Sequence, residues 1–442
     1  MKTCDHPFIS APHATLFSLS LPLLLSLVAE PLTGLVDTAF ISRLGAAPLA
    51  AVGIGTTALT GIFWAFNFLG IGTQTEIARA LGSRDRERVK QISALALGLS
   101  LLIGTVLAGI TFPLSSGIST LMGAGREIQE LSVSYFKIRL SGAPAILITF
   151  AAFGILRGLQ DMKTQLKIAV GINIINIILD PVLIFGLGPV PALGVAGAAL
   201  ASAASQWAGA GWAVFTIFTT SGFSKKVRLS DGVKLFKVGR DLFIRTGMLT
   251  LFLMLTTRTA TLNGSDAGAA HQALRQFWIF TALFLDAYAV AGQSLVGYFT
   301  GTGQHAQVLR VARIVCLWSL VIGAVLSLSM ILGQSLVERL IVPETAVDIF
   351  RPAWMIVCLF QPLNALAFGT DGIHWGTGDF PYLRNAMVLA SLFGVTALYL
   401  MDVNTAHALT KIWIITGLWV GMRSSFGILR IWPGIGDSPF KN

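Results

Sequence analysis

Two carboxylates stand where a lipid-crossing segment should carry none. Between Leu19 and Phe40 the chain runs almost wholly apolar, yet it contains Glu30 and Asp37. An ionisable group at membrane depth is costly unless it faces protein or water. The two acids are seven residues apart, close to two helical turns, so they share a face about 10 Å apart along the axis. Asp37 is therefore read as a group that takes up and releases a cation. The other reading is a permanent ion pair with a neighbour such as Arg43.

Asn176 and Asp180 are four apart in a later apolar run and also share a face. An amide and two carboxylates converging on one pocket could bind a proton or a small hard cation such as Na+, which takes oxygen ligands. Asp180 precedes Pro181, so it could instead start a turn. In the second half the candidates are Asp286, Asp371 and His374. Asp371 and His374 are three apart and can touch, as an ion site or as a structural gate at a helix end. Glu30 is open: it could draw in a cationic compound or pair with Arg245 or Arg258. Those arginines could equally make a cavity receptive to anions.

The elements that must position these residues are helices. Of 442 residues, 54% are hydrophobic and only 12% charged, with mean hydropathy +0.75. Such a composition identifies a polytopic helical membrane protein. Twelve spans are expected, at about 14–39, 50–78, 92–113, 131–156, 164–187, 193–220, 240–262, 266–299, 310–333, 350–376, 384–402 and 409–430. Loops after the even spans are basic (Arg84, Arg86, Arg88 and Lys90; Lys225, Lys226 and Arg228), whereas Gly186–Leu193 has no basic residue. Both termini are thus expected in the cytoplasm. The same loops explain the net charge of +10 without nucleic acid. No cleavable signal is expected, because Met1–His13 is polar and the first apolar run is long and acidic. Cys4, Cys316 and Cys358 suggest neither a disulfide framework nor a metal site. The glycine-rich stretches lack a P-loop ending, and no catalytic constellation has workable spacing. No cofactor is expected.

The halves look like diverged copies. Gly70–Gly82 can be laid over Ala289–Gly301, and Pro144…Gly154…Gly158…Asp161 over Pro362…Gly372…Gly376…Asp379, at offsets of 219 and 218. Lobes at 1–220 and 241–442 follow, joined by a cytoplasmic linker at 221–240. Six spans per repeat leave both copies in one orientation, with a central cavity between them. Asp37 is overlaid by Thr256, so the acidic site is not duplicated.

The pattern Pro22…Leu35-Val-Asp37-Thr-Ala-Phe-Ile-Ser-Arg43-Leu-Gly45 resembles the first helix of the multidrug and toxic compound extrusion (MATE) transporters. So do Asn173-Ile-Ile-Asn176-Ile-Ile-Leu-Asp180-Pro181 and Gly197-Ala-Ala-Leu-Ala-Ser202. Phe368-Gly-Thr-Asp371-Gly points to the branch named after DNA-damage-inducible protein F (DinF). The resemblance implies that Asp37 binds the proton and that the first helix bends at Pro22 as it does so. It also matches Ser202 to a hydroxyl-bearing site position, although a small packing residue is the other reading. The function implied is a secondary active antiporter exchanging H+, or Na+, for amphipathic organic compounds. It would be monomeric, surrounded by lipid, in a bacterial inner membrane. The alternatives are a lipid-linked oligosaccharide flippase of the same superfamily and an intramembrane enzyme.

Overall fold

The structure, a computed structural model, describes residues 6–226, 228–403, 405 and 407–441, so Cys4 lies outside the described residues. The first half comprises α1 (Pro7–Ser10), α2 (Pro12–Ser42), α3 (Ala46–Trp64), α4 (Phe68–Gly82), α5 (Arg86–Leu121), α6 (Arg126–Leu140), α7 (Ala143–Gly158), α8 (Met162–Phe185) and α9 (Val195–Ser221). The second comprises α10 (Leu229–Leu262), α11 (Ser265–Gly301), α12 (His305–Leu332), α13 (Gln334–Ile341), a 3-10 turn at Glu344–Ala346, α14 (Val347–Thr377), α15 (Phe380–Leu400) and α16 (Ala408–Ile431). Among the described residues there is no strand beyond one isolated bridge, Leu187–Val190.

Each expected span falls on one helix or one broken pair. Nine helical segments are long and apolar enough to cross a membrane, and α6 with α7 makes a tenth, bent by 48°. Pro144, at the start of α7, has no N–H to offer the preceding turn, which stops the α6 ladder there. Two further long helices, α9 and α10, bring the spans to twelve. Alanine, serine and glycine dilute the apolar character of α9, and Arg245, Arg258 and several threonines do the same in α10.

The chain divides into two compact units, Leu21–Gly239 and Met1–Ser20 together with Arg240–Asn442. The N-terminal residues thus pack with the second half and not with the lobe expected at 1–220. Phe8 is fully buried, its ring 5.6 Å from that of Phe299. Trp318 Nε1 donates to His13 Nδ1 at 2.9 Å, and Arg310 donates to the Ile9 carbonyl at 3.2 Å. The expected linker at 221–240 is largely helical, because α10 begins at Leu229. Its first turns belong to the first unit. Arg88 grips Asp231 with two bonds of 2.5 and 2.9 Å, and Gly72 packs on Leu235 and Val238. The Arg88 hydrogen bonds hold the Asp231 carboxyl below the usual carboxylate range. This tie is therefore intact at neutral pH and is lost only as pH falls through that lowered value.

The two units are built alike. Helix α7 packs on α4 and α5 in the first, and α14 on α11 and α12 in the second. The closest approaches recur at the repeat offset. A Cβ on Gly154 would lie 2.3 Å from the Gly70 carbonyl oxygen, and one on Gly372 would lie 2.1 Å from that of Ala289. A Cβ on Gly104 would meet Pro144 Cα at 2.5 Å, and one on Gly323 would meet Pro362 Cα at 2.6 Å. The turns repeat as well: Arg84 and Gln160 take φ of 57° and 63°, and their counterparts Gly303 and Gly378 take 71° and 69°. In the first unit the turn closes with Asp85 and Asp161, whose carboxylates accept from the Arg88 and Thr164 backbone N–H at 2.9 and 3.0 Å.

These contacts are backbone against backbone, so neither side can yield by turning a side chain. Gly154→Ala and Gly372→Ala are each expected to cost about 1–3 kcal/mol or more. Gly98→Ala, with nothing within 4 Å of the added methyl, should be neutral or gain up to about 1 kcal/mol. Thermal unfolding of the purified protein checks all three.

Candidate functional site

In the first unit α2 and α8 bring their acids together. Asp180 is 1% exposed and Asn176 5% exposed. The Asp37 and Asp180 carboxyls lie within hydrogen-bonding reach of each other. Two carboxyls bond to one another only when one holds a proton. Asn176 Nδ2 approaches Asp180 Oδ1 at 3.5 Å, the outer limit of a hydrogen bond. Asp37 Oδ1 and Asp180 Oδ2 are buried with no hydrogen-bond partner among the described residues. Asp180 is not a turn residue: α8 continues through Pro181 to Phe185.

The countercharge is one that the sequence reading passed over. Arg139, in the last turn of α6, acts electrostatically on Glu30, Asp37 and Asp180. Its Nε and Nη1 are buried without a hydrogen-bond partner. Arg43, the expected partner of Asp37, is exposed and makes no ion pair with it among the described residues. Arg139 lies inside the fourth span, so the depth argument that singles out Glu30 and Asp37 applies to it as well. Glu30 itself is exposed. Ser202 is half-buried on α9, and among the described residues no hydrogen bond joins it to the acid pair.

Two features govern how α2 can move. Pro22 and Pro31 both lie inside it, and each removes a backbone donor from the ladder. Beyond Pro22, Ser26 accepts from Gln165 Nε2 at 3.2 Å, and Gln165 in turn accepts from Arg157 Nε at 2.9 Å. This buried relay pins α2 to α8 and α7.

In the second unit Asp241, Asp371 and Asp379 are each bonded to arginine. Asp371 does not bond to His374. Its Oδ2 accepts from both Arg245 and Arg423, the latter at 2.8 Å. His374 is fully buried, its Nε2 meets the Gly427 carbonyl at 3.1 Å, and its Nδ1 lies 3.8 Å from Asp379. Asp379 is held by Arg430 at 2.8 Å, and Asp241 by Arg384 at 2.6 Å and Arg240 at 2.9 Å. Arg245 is thus taken up by Asp371, and Arg258 is exposed on α10. Asp286 is half-buried on α11. Among the described residues no cluster of three His, Cys, Asp or Glu could hold a metal ion.

A helical protein with apolar spans from end to end, two units of one design and unlocked acids in only one of them belongs to the class of membrane transporters. The model of the MatE family matches residues 22–182 and 243–400, one stretch in each half. The chain belongs to that family, the multidrug and toxic compound extrusion transporters. Protein DETOXIFICATION 44, chloroplastic, of Arabidopsis thaliana is 29% identical, covering 99% of this chain and 86% of its own. DNA damage-inducible protein F of Escherichia coli is 27% identical, covering 96% of this chain and 93% of its own. Among solved structures, one described as a MATE in the bent conformation matches with a TM-score of 0.85 at 23% identity, over 94% of this chain and 93% of that one. This likeness is one of fold.

Removing Asp371 would leave two buried guanidiniums side by side. Asp371→Asn should cost about 3–5 kcal/mol. Arg351→Gln, which breaks a pair whose arginine is 55% exposed, should cost at most about 1 kcal/mol. Unfolding midpoints of the two variants, compared with the parent, check the difference.

Proposed function

We propose that the protein is a secondary active efflux antiporter that exchanges protons for amphipathic organic compounds by alternating access. Asp37 and Asp180 form the coupling site. The observation that carries this reading is the meeting of the two carboxyls, with Asp37 Oδ1 and Asp180 Oδ2 accepting no hydrogen bond among the described residues. Asp37, Asp180 and Arg139 by themselves sum to a single negative charge, which one monovalent cation balances; Glu30, on which Arg139 also acts, is exposed. A proton suits the geometry better than Na+: a carboxyl pair shares a proton directly, whereas a hard metal cation needs more oxygen ligands than Asp37, Asp180 and Asn176 provide.

Proton uptake favours one packing of α2 and substrate binding the other, so the two ligands compete through one conformational equilibrium. Pro22 is the hinge. It removes the donor to the Ser18 carbonyl, and the division between the units falls at Ser20 and Leu21, just before it. Asn176 steadies Asp180, and Glu30 and Ser202 face the compound's path. Cytoplasmic termini follow from the basic even loops, and the same reading takes the protein as a monomer in a bacterial inner membrane. Of the two arginines that favour the flippase alternative, Arg245 is bonded to Asp371 and Arg258 is exposed.

The test is drug accumulation in cells, with and without a proton gradient and with Na+ replaced. Asp37→Asn and Asp180→Asn should each reduce gradient-driven efflux at least about tenfold, the scale of one lost interaction of roughly 1.4 kcal/mol. Replacing Na+ should change nothing. Undiminished efflux by Asp37→Asn would remove that residue as the coupling group, and dependence on Na+ with none on the proton gradient would replace the proton by the metal.

A further inference from the structure

The second unit holds a buried charge imbalance that proton coupling does not use. Arg245 of α10 and Arg423 of α16 donate to one oxygen of Asp371. The side chains of Arg245, Arg423 and Asp371 are 9%, 4% and 9% exposed. Two guanidiniums on one carboxylate leave one positive charge. The other carboxylates of this unit that share the arginine network are already committed: Asp241 to Arg240 and Arg384, and Asp379 to Arg430. His374 spends its Nε2 on the Gly427 carbonyl.

The unspent donors are specific atoms. Arg245 Nε and both Nε and Nη1 of Arg423 are buried and have no hydrogen-bond partner among the described residues. A buried donor left unmet costs about 1–3 kcal/mol, and more when it is charged. The ring of Trp375 lies 5.2 Å from the Arg245 guanidinium, and that of Trp419 lies 4.7 Å from Arg423. These indoles cover the flat faces of the cations and leave the N–H edges as the places where a ligand can bond.

We propose that Arg245 and Arg423 together bind a small monovalent inorganic anion of the halide class, with Asp371 setting the spacing between the two guanidiniums. The charge count requires one negative charge. The burial of all three side chains and the indoles over the guanidinium faces favour a small ion such as chloride or bromide over an organic anion. The site is separate from the coupling pair, and its ligand is neither the proton nor the exported compound.

The experiment is thermal unfolding of the purified full-length protein at constant ionic strength, exchanging gluconate for chloride or bromide. The melting temperature should rise saturably with either halide and stay flat in gluconate. Arg245→Lys keeps the charge but loses the Nε edge, and should move the chloride midpoint at least tenfold higher. Arg423→Gln should abolish the halide response. Should Arg423→Gln fail to fold, crystals of the unaltered protein grown in bromide decide, through an anomalous peak within bonding distance of Arg423. Equal melting in chloride and gluconate, an unchanged midpoint in Arg245→Lys, or bromide crystals without that peak would each overturn the proposal. None of these outcomes bears on whether Asp37 couples transport.

Discussion

A charge carried into the interior of a helical membrane protein must be compensated within a few ångströms, because the surroundings offer little dielectric relief. This constraint organises the ionisable residues of both units. In the second unit it is met by direct bonds: Asp371 with two arginines, Asp241 with two, and Asp379 with one. Arginine suits this role, since its fork stays charged and holds a carboxylate in a fixed geometry. A carboxylate held in this way has no reason to release its partner. In the first unit Asp37 and Asp180 have a compensating arginine, Arg139, that makes no hydrogen bond to either. That difference, and not the mere presence of buried acids, supports assigning exchange to the first unit.

The repeat makes the contrast sharper. At offsets of 219 for α2 and 218 for α8, the counterparts of Asp37, Asn176 and Asp180 are Thr256, Gly394 and Leu398. Thr256 turns its hydroxyl back to the Leu253 carbonyl at 2.8 Å. Gly394 is required there because the Phe252 ring fills the space that a side chain would occupy, with Phe252 Cε2 2.5 Å from where its Cβ would stand. Phe252 stacks on Trp419 with ring centroids 4.7 Å apart, inside a cluster that includes Leu398 and Val357. One scaffold, with the same close glycine approaches, thus houses a polar pocket in one copy and an aromatic core in the other.

Much of this was legible in the sequence, and the reasons differ by feature. The helices could be read because apolar runs of span length have few other uses. The repeat could be read because glycines at backbone crossings tolerate no substitute, which preserves Gly154 with Gly372 and Gly104 with Gly323. Asp37 and Asp180 stood out as acids at membrane depth. Partner choice did not stand out. Asp371 and His374 are three apart and could have touched, but two arginines from other helices offer a carboxylate more than one histidine can. The placement of residues 6–20 was also hidden, since nothing local in a short polar segment says that Phe8 will be buried against Phe299. Arg139 and Arg423 are, like Arg245 and Arg258, charges inside apolar runs, but nothing in their spacing ties them to Asp37 or Asp371.

The count of charges around Asp37 carries one more consequence. With Arg139 beside them, the two carboxylates hold one cation to reach neutrality, not two. Arg139 cannot leave, since it is covalently part of α6, so it acts as a permanent occupant of half the site. Losing the exchangeable cation leaves two carboxylates in mutual repulsion, with one arginine to share. The least costly relief is to move α2 away from α8, because α6 ends against the bend at Pro144 while α2 is already weakened at Pro22 and Pro31. The Ser26–Gln165 bond ties α2 to α8 beyond Pro22, so on the proposed reading such a movement has to break it. On the proposed reading, a fixed arginine, two acids and a proline-weakened helix link the departure of one proton to a change of shape.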